Sequence, residues 1–254
     1  MKALILVDIQ NDFLPGGPLA VPDGDVIIPV VNRLQHFFDI VIATQDWHPP
    51  NHMSFASNHP GKKPFDIIDL SGLQQTLWPD HCVQGTVGAG FPVQFNMNRA
   101  EAIFRKGTDP EIDSYSAFYD NGHRKSTGLT GYLHDKKVSE VYLAGLAGDI
   151  CVFYTAMDSL DEEFTTFIIE DAARPSASSI SKKLYKILPG KEERLFEVQK
   201  CNAGSKQPKQ YHDRSDCLHR ITQYKPFTSV FHWDSINTRM ISSTSSMAVT
   251  AAVI

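Results

Sequence analysis

V141-Y-L-A-G-L-A-G-D-I-C-V152 contains a short apolar run, a turn of small residues, and then a cysteine where a helical pattern begins. Val141 to Leu143 has the composition of a buried strand. A strand that stops at Gly and Ala and feeds a helix leaves the first N–H groups of that helix without partners. Cys151 then lies in the first turn, where the partial positive field favours thiolate and the same N–H groups can hold an oxyanion. A buried structural cysteine would sit in the same surroundings. The stretch is therefore a strand–turn–helix unit with a candidate nucleophile at its corner.

Working outward, the same unit recurs. Ala3 to Val7 is a continuous apolar run, as expected of a central strand covered on both faces, and it ends at Asp8. A turn or helix-capping aspartate has that placement too. An amphipathic helix is predicted over about Val26 to Phe37, with Ile27, Val30, Val31, Leu34 and Phe38 on one side. A second strand is predicted over Asp39 to Ala43 and a third over Ala102 to Phe104, with Lys106 just past its end. A short helix is predicted over Leu129 to His134, and a longer one from Cys151 through Leu160. The fifth strand is Thr165 to Ile169. Strands alternating with helices give an α/β fold with three α/β/α layers around a central, mostly parallel sheet. In such sheets ligands bind outside the carboxyl ends of the strands. Asp8, Lys106 and Cys151 each follow a different strand at that edge. A lone lysine there is usually a solvated charge, but three such groups can meet as acid/base, cation and nucleophile.

The second strand leads into T-Q-D-W-H-P-P-N-H, and His81 follows later in L-W-P-D-H-C-V-Q-G-T. Asp46 and His48, two apart on a looping backbone, can converge on a divalent cation with His81. One Asp and two His with open positions is a catalytic pattern, since structural zinc sites are usually closed by four protein ligands. An isolated D-x-H is common, and these histidines could equally bond loop carbonyls.

Bulk properties narrow the classes. The chain has 254 residues, is 42% hydrophobic and carries a formal net charge of -5, so a large core is affordable and a general nucleic-acid surface is not expected. Four cysteines without CxxC spacing point to a reducing compartment rather than a disulfide scaffold. No apolar run approaches the ~20 residues of a membrane span, and the N-terminal run meets Asp8 too early for a signal peptide. The expected location is the cytoplasm, with the nucleus as the alternative.

Five motifs then occur in order: D-x-Q-N-D-F from Asp8, D-W-H-P-P-N-H-x-S-F-A-S-N-H-P-G from Asp46, W-P-x-H-C-V-Q-G-T-x-G-A from Trp78, R-K-G from Arg105, and G-L-A-x-D-x-C-V from Gly145. Residues 1 to about 175 thereby resemble the nicotinamidase and pyrazinamidase members of the isochorismatase-like cysteine hydrolases. The resemblance implies Cys151 as nucleophile, Asp8 as the proton-shuttling carboxylate and Lys106 as the third member of a triad. It implies Asp46, His48 and His81 as ligands of one divalent ion, zinc or else iron or manganese, which would bind the pyridine nitrogen and waters. Phe13 and Trp78 would sandwich the pyridine ring. A non-proline cis peptide, here Leu146–Ala147, would aim the Ala147 and Cys151 amides at the oxyanion, a term worth roughly 3 kcal/mol per donor. The implied activity is hydrolysis of nicotinamide to nicotinate and ammonia through a cysteine thioester, in NAD salvage, by a protein that could be a homo-oligomer. Cys151 together with the metal motifs sets the chain apart from the vinyl-ether isochorismatases. Ureido- or carbamoyl-amidohydrolases of this fold are the alternative class. Cys82 is expected to be a small buried hydrophobe.

After Pro175 the resemblance stops. Ile180 to Val198 can supply a helix broken at Pro189-Gly190, and no closing strand of the family kind follows. The expected organisation is a catalytic domain over residues 1–200 and an atypical, poorly ordered extension over 201–254. A member disabled by its tail is the remaining alternative.

Overall fold

A computed structural model describes residues 1–176, so the helix expected at Ile180–Val198 and the extension at 201–254 lie outside the described residues. Five strands, β1 (Lys2–Val7), β2 (Ile40–Asp46), β5 (Ala100–Lys106), β6 (Glu140–Gly145) and β7 (Thr165–Ala173), form one sheet in the order β5-β2-β1-β6-β7. All four pairings are parallel. The chain steps outward from β1 to β2 and β5 on one side, then crosses β1 to β6 and β7 on the other. The switch point therefore lies at the carboxyl end of β1, where a crevice for ligands opens in such sheets.

The period of a strand divides the core in two. Leu4 and Leu6 of β1 pack with Ile27, Ile28, Val31 and Phe38 on one face. Ala3, Ile5 and Val7 pack with Leu129, Leu133, Val152 and Ala156 on the other. The first face is covered by α1 (Ile28–Leu34), the second by α2 (Leu129–Asp135) and α3 (Cys151–Asp161). This is the three-layer α/β/α arrangement predicted from the alternation.

Several elements differ in extent from the sequence expectation. The helix expected at 26–37 is a compound of a 3-10 turn (Gly24–Ile27), α1 and a second 3-10 turn (Gln35–Phe37). Pro29 lies at the start of α1 and has no N–H to continue an α ladder backward, so the α segment begins there. Strand β2 runs three residues past its apolar run, because Thr44, Gln45 and Asp46 pair with Phe104, Arg105 and Lys106. Lys106 is accordingly the last residue of β5 rather than a residue beyond it. Strand β7 extends to Ala173 after a register shift opposite Leu143 to Gly145.

A hairpin escaped the sequence analysis: β3 (Ile67–Leu70) and β4 (Leu73–Thr76) pair antiparallel across Ser71-Gly72. Both turn residues have positive φ, 53° and 81°, as a two-residue type I′ turn requires. The hairpin feeds directly into Leu77 and Trp78. Among the described residues no helix is long and apolar enough to cross a membrane.

Candidate active site

The carboxyl edge of the sheet gathers its functional groups around one buried lysine. Lys106 Nζ lies 2.8 Å from Asp8 Oδ2 and 3.0 Å from Asp46 Oδ1. It also donates to the Ser114 carbonyl at 2.9 Å and lies 3.7 Å from Cys151 Sγ. Lys106, Asp8, Asp46 and Cys151 are all buried. Each comes from a different strand end, so the sheet itself sets their spacing. Asp8 sits in the first residue past β1 with φ 47°. Its amide donates to Thr44 Oγ1 at 3.1 Å, and that hydroxyl donates to Asp8 Oδ1 at 2.6 Å.

Burial and charge push these groups apart. Burial raises the proton affinity of Asp8 and outweighs the attraction of Lys106, while Asp46 adds to the rise. Burial works the same way on Asp46, yet His48 and Lys106 hold it well below the usual carboxylate range. Burial alone would weaken the hold of Lys106 on its proton, but Asp46 and Asp8 keep it firmly charged. The Cys151 thiol is pushed well up by burial against the pull of Lys106, and Asp8 and Asp46 add to the rise. The helix-start field alone suggested a resting thiolate. Burial, reinforced by its two carboxylate neighbours, reverses that, so Cys151 rests as a thiol beside a carboxylate able to take its proton.

The peptide bond Leu146–Ala147 is cis. Cys151 opens α3. Among the described residues, neither the Ala147 nor the Cys151 N–H donates to another protein group. Two unspent donors at the nucleophile are what an oxyanion hole needs.

Asp46 has a second face. Its Oδ2 lies 3.1 Å from His48 Nε2 and 3.5 Å from His81 Nε2. His48 Nδ1 is 2.9 Å from the Gly107 carbonyl and His81 Nδ1 is 2.8 Å from the Pro79 carbonyl. A carbonyl can only accept, so each Nδ1 carries a proton, and Nε2 is the nitrogen that offers a lone pair when a cation replaces the proton that Asp46 favours on His48. His48 Nε2 is buried and has no hydrogen-bond partner. Two imidazole lone pairs and a carboxylate oxygen converging in this way fit a divalent ion, and the carbonyls provide the outer contacts that orient such ligands. Gly107 permits the approach: its φ is +64° and a Cβ there would fall 2.3 Å from His48 Cε1.

The two predicted ring-binding residues are both buried. Phe13 packs its ring 5.6 Å from His81, and Trp78 lies edge-on to Tyr115 at 6.1 Å. Cys82 is fully buried in the core, as expected.

Thr44 and Ser114 are not singled out by the sequence, whereas His52 is there a candidate extra or outer ligand, left out of the metal set. Thr44 could have been suspected from its place before Gln-Asp at a strand end. Ser114 contributes only a carbonyl and leaves no sequence signal. His52 is fully buried beside His48, with ring centroids 4.4 Å apart. Its Nδ1 accepts from the Ser54 N–H at 3.1 Å. Burial lowers its pKa to about 4, so it is neutral. With His48 and Asp113 it forms a second group close enough to hold a cation, one that shares His48 with the first.

The chain is similar to several known proteins. The Isochorismatase domain family matches residues 2–186. A nicotinamidase of Acinetobacter baylyi is 50% identical over 172 residues, spanning 68% of this chain and 80% of the relative. The structure of an Acinetobacter baumanii nicotinamidase and pyrazinamidase superposes with TM-score 0.74 at 46% identity, covering 78% of this chain and 95% of that one. A Pyrococcus horikoshii pyrazinamidase in complex with zinc superposes with TM-score 0.59 at 36% identity, covering 73% and 92%.

Proposed function

We infer that this chain, which belongs to the isochorismatase family, is a nicotinamidase that hydrolyses nicotinamide to nicotinate and ammonia in NAD salvage. The observation that supports the assignment of roles is the buried Lys106, which joins Asp8, Asp46 and Cys151 within 3.7 Å of its Nζ.

The chemistry follows from those positions. An amide is a poor electrophile, so the thiol must be activated at the moment of attack. Asp8 takes the Cys151 proton, and Sγ adds to the amide carbonyl carbon. The carbonyl oxygen becomes an oxyanion facing the Ala147 and Cys151 N–H groups. Asp8 then returns the proton to the amide nitrogen, the C–N bond breaks and ammonia leaves a thioester on Cys151. Water adds to the thioester carbon, giving up a proton to Asp8. The C–S bond breaks, the proton on Asp8 returns to sulfur, and the carboxylic acid formed loses its remaining proton to solvent and departs as nicotinate. Lys106 stays charged throughout, and its proximity favours the anionic forms of Cys151 and Asp8.

Phe13 and Trp78 supply apolar walls for the pyridine ring. Asp46, His48 and His81 would hold a divalent ion such as zinc, which would supply a docking point for the pyridine nitrogen and so contribute orientation.

The test is ammonia release from nicotinamide by the full chain, beside Cys151→Ala and a chelator-treated sample. Turnover should vanish in Cys151→Ala and fall on chelation. Turnover that survives Cys151→Ala overturns the thiol mechanism. A folded, metal-loaded wild type inactive on nicotinamide but active on a ureido or carbamoyl substrate overturns the substrate assignment.

A further inference from the structure

The run Gln10-Asn11-Asp12 lies between the proposed proton shuttle Asp8 and the aromatic wall Phe13, yet none of its three side chains takes part in the chemistry above. Gln10 is fully buried. Its Nε2 donates to the Asp46 carbonyl at 2.8 Å and its Oε1 accepts the Asp46 N–H at 2.8 Å. The geometry has a topological cause. The pairing of β1 with β2 ends at Leu6 opposite Ala43, so Thr44 to Asp46 overhang the end of β1. A parallel neighbour would have taken both main-chain groups of Asp46. The Gln10 amide has the same donor and acceptor as a peptide and takes the place of that missing strand. The same Nε2 reaches the Ala89 carbonyl at 2.9 Å, which ties the 87–90 loop to the end of β2.

Asp12 makes the equivalent contact one loop away. Its Oδ2 accepts the Cys82 N–H at 2.7 Å. Cys82 follows His81, and its own carbonyl accepts the His48 N–H at 3.0 Å. Gly88 makes room for this carboxylate, since a Cβ there would lie 2.2 Å from either Asp12 oxygen. Asn11 belongs to the same segment but holds only the Val87 carbonyl, at 2.7 Å.

We propose that Gln10 and Asp12 are positioning residues of the metal site, Gln10 fixing Asp46 and Asp12 fixing His48 and His81 through Cys82. The proposal rests on the metal-ligand assignment made above. Groups that orient ligands from behind typically contribute about 10–100-fold to metal affinity when lost. Gln10→Glu keeps the shape and the acceptor but sets a carboxylate against two carbonyls. Asp12→Asn weakens a charge-assisted bond with little change of volume.

The experiment is chelator-competition titration of the metal-free full chain with Zn²⁺, together with the visible spectrum of the Co²⁺-loaded protein. Gln10→Glu and Asp12→Asn should each weaken Zn²⁺ binding by about 10–100-fold and alter the cobalt bands. Asn11→Ala should leave both unchanged, although it loosens the same loop. Wild-type affinity and spectrum in the Gln10 and Asp12 variants overturn the proposal, as does an equal loss in Asn11→Ala. If Gln10→Glu does not fold, Asp12→Asn decides by the same measures. A wild type that binds no Zn²⁺ overturns the proposal whatever its turnover. Zn²⁺ binding without nicotinamide turnover overturns only the functional assignment.

Discussion

Lys106→Met should destabilise the protein severely at neutral pH and less in acid. Lys106 is the cation shared by two buried carboxylates, at 2.8 and 3.0 Å. Removing one partner of a buried ion pair costs about 3–5 kcal/mol, because the other is left charged and uncompensated. A domain is stable by only about 5–15 kcal/mol, so the loss is a large fraction of the total. At this size each kcal/mol shifts the melting temperature by about 2–4 °C, giving a fall of about 6–20 °C. The pH dependence has a definite sign. Burial already raises the proton affinity of Asp8 against the pull of Lys106. Without the lysine it rises further, and Asp46 loses one of the two charges that hold it down. A carboxylate whose folded pKa exceeds its unfolded value of about 3.9 keeps its proton on folding. Stability is then full below the unfolded value and is lost as pH rises through the folded one. The gap between wild type and variant should therefore be wider at about pH 8 than at about pH 5, because the raised proton affinity of Asp8 lets it shed its buried charge as the pH falls. Urea unfolding of both proteins in chelator, at the two pH values, measures it. An equal gap at both, or one below about 1 kcal/mol at the higher pH, would refute the claim that Lys106 compensates these buried charges.

Two further outcomes follow from neighbouring contacts. Thr44→Val removes the hydroxyl that donates to Asp8 Oδ1 at 2.6 Å and accepts its N–H. Unfolding should show a loss of about 1–3 kcal/mol. Since that hydrogen bond lowers the proton affinity of Asp8, the acid limb of kcat/KM should move to higher pH, as the shuttle must be ionised to take the thiol proton. Gly107→Ala places a methyl 2.3 Å from the His48 ring, so Zn²⁺ affinity measured by chelator competition should fall by about tenfold or more. Wild-type affinity would mean that the His48 ring is not fixed by this approach.

Much of the fold was legible because its central strands are nearly pure apolar runs. Ala3–Val7 and Val141–Leu143 need no partner information to be recognised, and Asp8 and Cys151 follow from where they stop. The extents were less legible. Thr44 to Asp46 belong to β2 only because β5 and the Gln10 amide take their main-chain groups, and those partners are 60 and 36 residues away. The β3–β4 hairpin was missed because its strands do not alternate cleanly, leaving Ser71-Gly72 as a weak local cue. At the site, residue types were legible and protonation was not. The helix-start field at Cys151 is visible in one stretch of chain, but the carboxylates that oppose it arrive from β1 and β2. Contacts made by the main chain, such as the Ser114 carbonyl on Lys106, have no sequence signature.

The division of labour between the two aspartates follows from these same environments. Asp8 and Asp46 share one lysine and are both buried, so composition alone would treat them alike. Asp46 has His48 and His81 on its other oxygen, and His48 and Lys106 hold it well below the usual range. Asp8 has only a hydroxyl there, and burial carries it upward. A carboxylate held low remains an anion and serves as a fixed ligand and counter-ion. One held high can accept a proton and return it near neutral pH. In the proposed mechanism the proton therefore moves through Asp8, and the link between that chemistry and the proposed metal-binding face is the Asp46 side chain, with one oxygen on Lys106 and the other toward the histidines. That position gives both main-chain groups of Asp46 a reason to be held by Gln10, while the N–H of the next residue, Trp47, donates to the Lys106 carbonyl on the β5 side: a small rotation of Asp46 would misplace Lys106 and the proposed metal ligands together.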